Sequence, residues 1–204
     1  MKLIILEGGD RLGKSTLIKG ICEHYNYDNV TIRHFGKPPK GMTPEEVLKF
    51  QFKAFKKEMK LFYNVYSRSI DRLTYYNEVM IWNRSHLGEY VYSQMFRGGN
   101  PEILRKMLQK YEIGFISYDV RLITLTASPE FFNSRESDGH ELSKTLEQKT
   151  KELELFKEAH NFSRIASKLL LKVDKQVESD LVFPGPNVFR TKEDILQEAI
   201  NFIE

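Results

Sequence analysis

The chain has 204 residues, of which 41% are apolar, and its 31 basic and 28 acidic side chains give a formal net charge of +3. This length suits one folded domain with a sizeable core, so we expect a single α/β domain over residues 1–204. The balanced charge, without any run of basic residues, argues against nucleic acid as a partner. A lone Cys22 excludes a disulfide framework. No apolar stretch is long enough for a membrane span or a signal peptide, so we expect a cytoplasmic protein.

The first element is a short apolar run, Leu3 to Leu6, which predicts a buried strand. It leads into Gly8-x-x-x-x-Gly13-Lys14-Ser15, the phosphate-binding loop signature, and a helical pattern follows to about Tyr27. Glycines at these positions let backbone N–H groups turn inward around phosphate oxygens, and the following helix adds positive potential. The spacing predicts a nucleoside triphosphate site, with Lys14 at the terminal phosphates and the hydroxyl of Ser15 on Mg²⁺. The residues expected around the triphosphate are Gly8, Gly9, Asp10, Arg11, Leu12, Gly13, Lys14, Ser15 and Thr16.

The next elements are a short strand over 30–35 and a long helix. Thr43 and Pro44 are typical of a helix start, and an apolar stripe at helical spacing then runs from Leu48 to Leu73. Such a stripe indicates packing in the core or at a subunit interface. We therefore expect a functional role only for its later turns, near Phe62.

The rest of the chain continues the alternation of strands and helices. Apolar runs predict strands over 78–82, 122–126 and 168–173, and helical patterns occupy 87–96, 103–111, about 143–160 and the segment after Thr191. This order predicts a parallel five-stranded sheet with helices on both faces, a P-loop NTPase-type α/β fold. Ligands of such sheets bind beyond the carboxyl ends of the strands, so the candidate segments are 8–16, 33–37, 83–84 and 127–145.

Several P-loop classes are excluded by what the sequence lacks. It has no Asn-Lys-x-Asp signature of the GTPases, and no apolar strand ends in the Asp-Glu pair usual for hydrolytic ATPases. Arginines instead occupy strand ends and loops, where bidentate guanidinium groups suit phosphates. This pattern favours a kinase that holds two phosphorylated ligands, and the arginines concerned are Arg11, Arg33, Arg84, Arg97 and Arg135.

Two segments resemble the thymidylate kinase family. The loop Glu7–Thr16 is similar to the family's phosphate-binding loop in the version that contains Asp-Arg, and Asn83-Arg84 stands where the family has Asp-Arg at the end of its third strand. Residues 89–98 resemble a helix of the phage-type deoxynucleotide kinases. The resemblance implies ATP and Mg²⁺ as cofactors, a deoxynucleoside monophosphate as acceptor, a mobile lid at about 133–145, and a homodimer packed through long helices.

On the donor side, the resemblance implies a catalytic set of Arg11, Lys14 and Arg84. Arg11 would contact the γ-phosphate of ATP, and Arg84 would bridge the donor and acceptor phosphates. Asp10 would receive the 3′-hydroxyl of the acceptor sugar, which suits a deoxynucleotide. Arg135, in the lid, would lie near the adenine or the phosphates.

On the acceptor side, the resemblance implies that Arg33 holds the acceptor phosphate, with Lys37 as a helper. Arg97 stands near the position that reads the edge of the base. One of two aromatic residues would stack on the base, and one of two arginines would line its pocket. These pairs of alternatives are Phe62 or Tyr63, and Arg68 or Arg72.

Asn83 is the main departure from the family pattern, which has a carboxylate there. The amide carries no charge to balance Mg²⁺, although the acceptor phosphate is already ionised at neutral pH and needs no base. Asn83 therefore marks a variant of modest activity, a member specialised for another acceptor, or a disabled copy.

The sequence predicts transfer of the ATP γ-phosphoryl group to dTMP or a related pyrimidine deoxynucleotide, and two alternatives stay open. One is a kinase acting on a polynucleotide end or a modified base in DNA, for which four lysines of the long helix could supply a basic groove. The other is a nucleotide-binding regulator weakened at Asn83. The four lysines are Lys53, Lys56, Lys57 and Lys60.

Overall fold

The computed structural model describes residues 1–36, 38–70, 78–134, 142–174 and 190–204. The strands in these ranges are β1 (Lys2–Gly8), β2 (Val30–His34), β3 (Val79–Asn83), β4 (Val120–Thr126) and β5 (Ser167–Lys172). The helices are α1 (Lys14–Tyr25), α2 (Pro44–Ile70), α3 (His86–Arg97), α4 (Pro101–Glu112), α5 (Pro129–Ser134), α6 (Leu146–Phe162) and α7 (Lys192–Ile203). None of these helices is long and apolar enough to cross a membrane.

The five described strands form one parallel sheet in the order β2-β3-β1-β4-β5. Because the strands are parallel, the carboxyl ends of β1 and β3 lie side by side, and Leu6 pairs in register with Asn83. The N–H of Arg84 donates to the carbonyl of Leu6 at 2.9 Å. The loop that leaves β1 therefore meets the residues that end β3, and the predicted P-loop NTPase-type α/β fold is confirmed.

Alternate residues of β1 enter two separate cores, one on each face of the sheet. Leu3 and Ile5 pack in a core formed with α2, α3, α4 and α6. Ile4 and Leu6 pack in the other core, with α1 and α7. All four side chains are fully buried. A central strand buried on both faces explains why its sequence is an uninterrupted apolar run.

The apolar side chains along α2 are buried in the core of the same chain. The rings of Phe55 and Phe62 are fully buried, and Phe52 and Met59 are no more than 8% exposed. These side chains pack against β3, α3 and α4 within a single chain. The stripe is therefore explained without a second subunit, and the homodimer stays a prediction.

The short helix α5 was not anticipated from the sequence. The main-chain N–H of Ser128, just before it, donates to Asp174 Oδ2 at 2.7 Å, and Ser128 Oγ accepts from the N–H of Phe131. Asp174 follows β5 and ties the start of α5 to the end of that neighbouring strand.

The predicted start of α6 near Ser143 is wrong by three residues. The helix begins at Leu146, because Thr145 and Gln148 form a capping box. Leu142 and residues 143–145 precede it as irregular chain, and 135–141 lie outside the described residues. The lid therefore stays a prediction.

Candidate active site

The phosphate-binding loop turns sharply between β1 and α1. Gly8 has φ +129°, and a Cβ there would lie 2.6 Å from the carbonyl oxygen of Leu125, so a side chain does not fit. Gly13, with φ +93°, sets the first turn of α1 against the loop. The first N–H groups of a helix have no partners within it, so α1 presents donors to an anion bound in the loop.

Lys14 is buried at the start of α1 and reaches back over the loop. Its Nζ donates to the carbonyl oxygens of Gly8 at 2.8 Å and Gly9 at 2.6 Å. Burial lowers the pKa of Lys14 to about 8, although the carboxylates of Glu7 and Glu152 oppose the shift. An anionic phosphate at this position would favour the charged form, so the ammonium is suited to the terminal phosphates of a nucleotide.

A cavity of about 340 Å³ opens where the loop meets the end of β3. Three cationic side chains and one carboxylate are among the described residues that line it. A hydroxyl pair and an amide complete the polar lining. The structure thus brings together most of the residues expected on the donor side: Asp10, Arg11, Gly13, Lys14, Ser15, Thr16, Asn83 and Arg84.

Arg84 and Asp10 form an ion pair across this cavity. Asp10, which the resemblance assigns to the acceptor sugar, is held by Arg84, the residue that directly follows β3. Arg84 and Arg11 both adopt left-handed backbone conformations, with φ values of +64° and +68°. Such conformations cost non-glycine residues about 1–3 kcal/mol each, so the surrounding structure must hold both arginines in place.

Asn83 belongs to the lining of the same cavity. Its Nδ2 lies 3.1 Å from His34 Nδ1, whereas its Oδ1 is buried and has no hydrogen-bond partner within the described ranges. A hydroxyl and an amide carbonyl are hard oxygen donors of the kind that Mg²⁺ accepts. Ser15 and Asn83 therefore fit a magnesium ion, although neither brings a charge.

A second cavity, of about 70 Å³, adjoins the first and is the candidate acceptor pocket. Arg97 Nη2 donates to Glu89 Oε1 at 2.6 Å at its wall. Burial raises the pKa of Glu89, while the guanidinium of Arg97 lowers it. Arg84 lines both cavities. The full lining is Phe35, Gly36, Pro38, Gln51, Arg84, Ser85, Gly88, Glu89, Tyr92, Arg97 and Leu142.

Arg33 does not line either cavity. Its Nε and Nη2 donate to the two carboxylate oxygens of Glu58 at 2.7 and 2.8 Å. This bidentate pair joins β2 to α2 and occupies the guanidinium fork that a phosphate would need. In this structure, Arg33 is a bridge between two elements rather than an acceptor-phosphate ligand.

The stacking role predicted for Phe62 is wrong, because its ring is fully buried and packs against Tyr118. The alternative, Tyr63, also packs against Tyr118 and donates its hydroxyl to the carbonyl of Gly114 at 3.0 Å. Arg68 is exposed on α2 and is not part of either cavity lining. Three other predicted residues lie outside the described residues: Lys37, Arg72 and Arg135.

Sequence reasoning missed Glu89 and Gln51 as pocket residues. Glu89 is 93% buried and lies in the segment that carries the resemblance. A charged residue on the apolar face of a predicted helix was the signal that could have indicated a pocket residue. Gln51 faces the pocket from α2, and its Nε2 lies 3.4 Å from the carbonyl of Gly36. The sequence around Gln51 contained no such signal, since glutamine is common on helix surfaces.

A buried chain of hydrogen bonds supports the junction between the two cavities. Ser85 Oγ donates to Glu7 Oε1 at 2.8 Å and lies 2.9 Å from His86 Nδ1, and His86 Nε2 lies 2.8 Å from Glu112 Oε1. This series of hydrogen bonds fixes the start of α3, and with it the adjacent Arg84.

No protein-family model and no curated protein sequence matches the chain. Solved structures do share its fold. The YorR protein of Bacillus subtilis, determined in complex with phosphorylated GDP, is 16% identical, with a TM-score of 0.62 over 99% of this chain and 95% of that one.

Two thymidylate kinases are similar at comparable identity. That of Ehrlichia chaffeensis is 12% identical, with a TM-score of 0.57 over 100% of this chain and 98% of that one. That of Candida albicans is 17% identical, with a TM-score of 0.52 over 99% and 90%. At these identities the likeness concerns the fold, and the fold of this chain is that of the thymidylate kinase-like P-loop kinases.

Proposed function

We propose that the chain is a nucleoside monophosphate kinase that uses ATP and Mg²⁺ to phosphorylate a deoxynucleoside 5′-monophosphate, dTMP or a related pyrimidine nucleotide. The observation that carries the proposal is the position of Arg84. This residue lines both the phosphate-loop cavity and the adjoining pocket, so one guanidinium faces the two places where phosphates would meet. A phosphoryl-transfer enzyme needs such a shared cation more than it needs a base.

In the proposed reaction, an oxygen of the acceptor phosphate attacks the γ-phosphorus of ATP. The bond from that phosphorus to the β–γ bridging oxygen breaks, and ADP leaves. Lys14 and Arg11 stabilise charge on the transferred group, and Arg84 aligns acceptor and donor. The acceptor is ionised at neutral pH, so the neutral Asn83 does not remove a required base.

Magnesium would be held by Ser15 Oγ and by the amide oxygen of Asn83, where it would neutralise charge on the β- and γ-phosphates. Asn83 Oδ1 is one of the buried acceptors that lack a protein partner in the described part of the chain. The amide of Asn83 offers an oxygen that can bind Mg²⁺, but it lacks the negative charge of a carboxylate.

A polynucleotide acceptor is less well supported. The four lysines considered for it are exposed on α2, and none belongs to the lining of either cavity. Lys56 lies 5.4 Å from the centre of the Tyr111 ring, which is an ordinary surface contact. These lysines are Lys53, Lys56, Lys57 and Lys60.

The test is a panel of nucleoside and deoxynucleoside monophosphates with ATP and Mg²⁺, followed by coupled measurement of ADP release. We expect transfer to a pyrimidine deoxynucleotide and weaker transfer to its ribonucleotide counterpart. Binding of ATP without transfer to any acceptor would contradict the proposal and favour a nucleotide-binding regulator. Binding to DNA that weakens steeply with salt would favour the polynucleotide acceptor instead.

A further inference from the structure

The wall of the acceptor pocket carries a buried pair of opposite charges. The side chains of Glu89 and Arg97 are 7% and 18% exposed, and one hydrogen bond of 2.6 Å joins them. Arg97 Nε is buried and has no hydrogen-bond partner among the described residues. A carboxylate accepts at two oxygens and a guanidinium donates five N–H groups, so the bond between them leaves both groups with further hydrogen-bonding capacity that the described residues do not fill.

The neighbouring polar side chains of the pocket are already engaged. The hydroxyl of Tyr92 donates to Glu152 at 2.9 Å, and Arg84 is paired with Asp10. Glu89 and Arg97 are therefore the charged groups that a base edge would meet. A hydrogen-bond acceptor, the carboxylate of Glu89, therefore lies beside a donor, the guanidinium of Arg97.

The edges of the pyrimidines differ in how they match this order. Cytosine presents an amino group, which donates, beside ring N3 and O2, which accept. Thymine and uracil present O4, N3–H and O2, so their one donor stands between two acceptors. Glu89 could accept from N3–H while Arg97 donates to one of the carbonyls, but the second carboxylate oxygen would then face the other carbonyl. Buried lone pairs without donors are costly, so this pairing is less favourable than the pairing with cytosine.

We propose that Glu89 and Arg97 read the acceptor base together and select cytosine, with Glu89 accepting from the exocyclic amino group and Arg97 donating to N3. The inference rests on the proposed function, because it takes the second cavity as the acceptor pocket. It makes Glu89 the specificity-determining residue and dCMP the preferred pyrimidine acceptor.

The matched ligands are dCMP and dUMP, which differ only by the amino group or oxygen at C4. We expect the wild-type chain to favour dCMP about 10–100-fold in kcat/KM, the usual effect of one unpaired buried polar group. In Glu89→Gln, the amide can donate to O4, so the ratio falls about tenfold or more while the KM for ATP is unchanged. Calorimetric affinities for the two nucleotides should show the same preference independently of turnover.

Glu102→Gln is the control, since it removes a carboxylate paired with Lys106 at 2.7 Å on the exposed face of α4. It should leave the dCMP to dUMP ratio unchanged. A wild-type preference for dUMP or dTMP overturns the inference while the proposed function stands, and so does a ratio that Glu89→Gln does not alter. Failure to phosphorylate any deoxynucleotide overturns the proposed function itself. The wild-type ratio decides the question even if Glu89→Gln does not fold.

Discussion

The two cavities that meet at Arg84 differ in the charged side chains that line them. The described lining of the first holds Lys14, Arg11 and Arg84 together with one carboxylate, Asp10. In the second, Arg97 is paired with Glu89, and the nearby Arg33, outside its lining, is paired with Glu58. Under the proposed function, the first cavity attracts phosphates through its cations, whereas the second matches a pattern of hydrogen bonds on the acceptor.

This contrast predicts different kinetic consequences on the two sides. Loss of a donor-side cation removes stabilisation that develops in the transition state, so it should lower kcat. Loss of an acceptor-side group should change KM and selectivity among acceptors.

The largest effect is expected for Lys14→Met. It removes the ammonium buried in the loop, and we expect kcat to fall about 10³-fold, as for other groups that stabilise charge in a transition state. Coupled ADP release measures the loss. The ammonium also donates hydrogen bonds to the carbonyls of Gly8 and Gly9, so the melting temperature of the variant should be measured beside its activity.

Lys19→Met provides the matched control for that variant. Lys19 lies on the same helix, its side chain is 72% exposed, and its contact with Glu23 is long at 3.9 Å. Its activity should equal that of the wild type. A decrease of less than tenfold in Lys14→Met would show that the cations of the phosphate-loop cavity do not drive the proposed reaction.

A smaller effect, in the opposite direction, is expected for Asn83→Asp. The new carboxylate would add the charge that the magnesium site lacks, and we expect turnover to rise about three- to tenfold. A titration with Mg²⁺ in the ADP-release assay should show half-saturation at a lower concentration. Asn29→Asp, at an exposed position on the protein surface, is the control. An unchanged or lower turnover number would count against the role given to Asn83.

The smallest effect is expected for Arg33→Gln. Since Nε and Nη2 of its guanidinium both donate to Glu58, we expect the acceptor KM to change by less than about threefold. The loss of thermal stability should be modest, because the pair is partly exposed. Arg97→Gln is the comparison, because its guanidinium lines the pocket, and there the acceptor KM should rise about tenfold. If Arg33→Gln raises the acceptor KM as much as Arg97→Gln does, the ion pair opens to receive the phosphate and the contrast between the two sides fails.

The donor side could be predicted from the sequence because its signal is local. Gly8, Gly13 and Lys14 lie within one loop, and the apolar runs on both sides fix its place at a strand end. The order of the sheet then brings Asn83 and Arg84 to the same edge, since parallel strands end together. These relations follow from spacing and strand direction alone.

The acceptor side could not be predicted in the same way, because its contacts depend on partners distant in sequence. Nothing near Arg33 indicates that Glu58, 25 residues away, would occupy it. Phe62 has the composition expected of a stacking residue, but its place on the helical stripe directs it into the core. Local capping bonds, rather than periodicity, decide where α5 and α6 begin.

The left-handed backbone at Arg11 and Arg84 has a consequence for how this protein can change. At both positions glycine would relieve the backbone, yet both arginines line the cavity proposed to bind phosphates. Selection for stability and selection for the proposed phosphoryl transfer would therefore act in opposite directions at the same two residues. A homologue that no longer catalysed the reaction would be expected to acquire glycine at these two positions early. Homologues that keep both arginines would be those in which the reaction is still under selection.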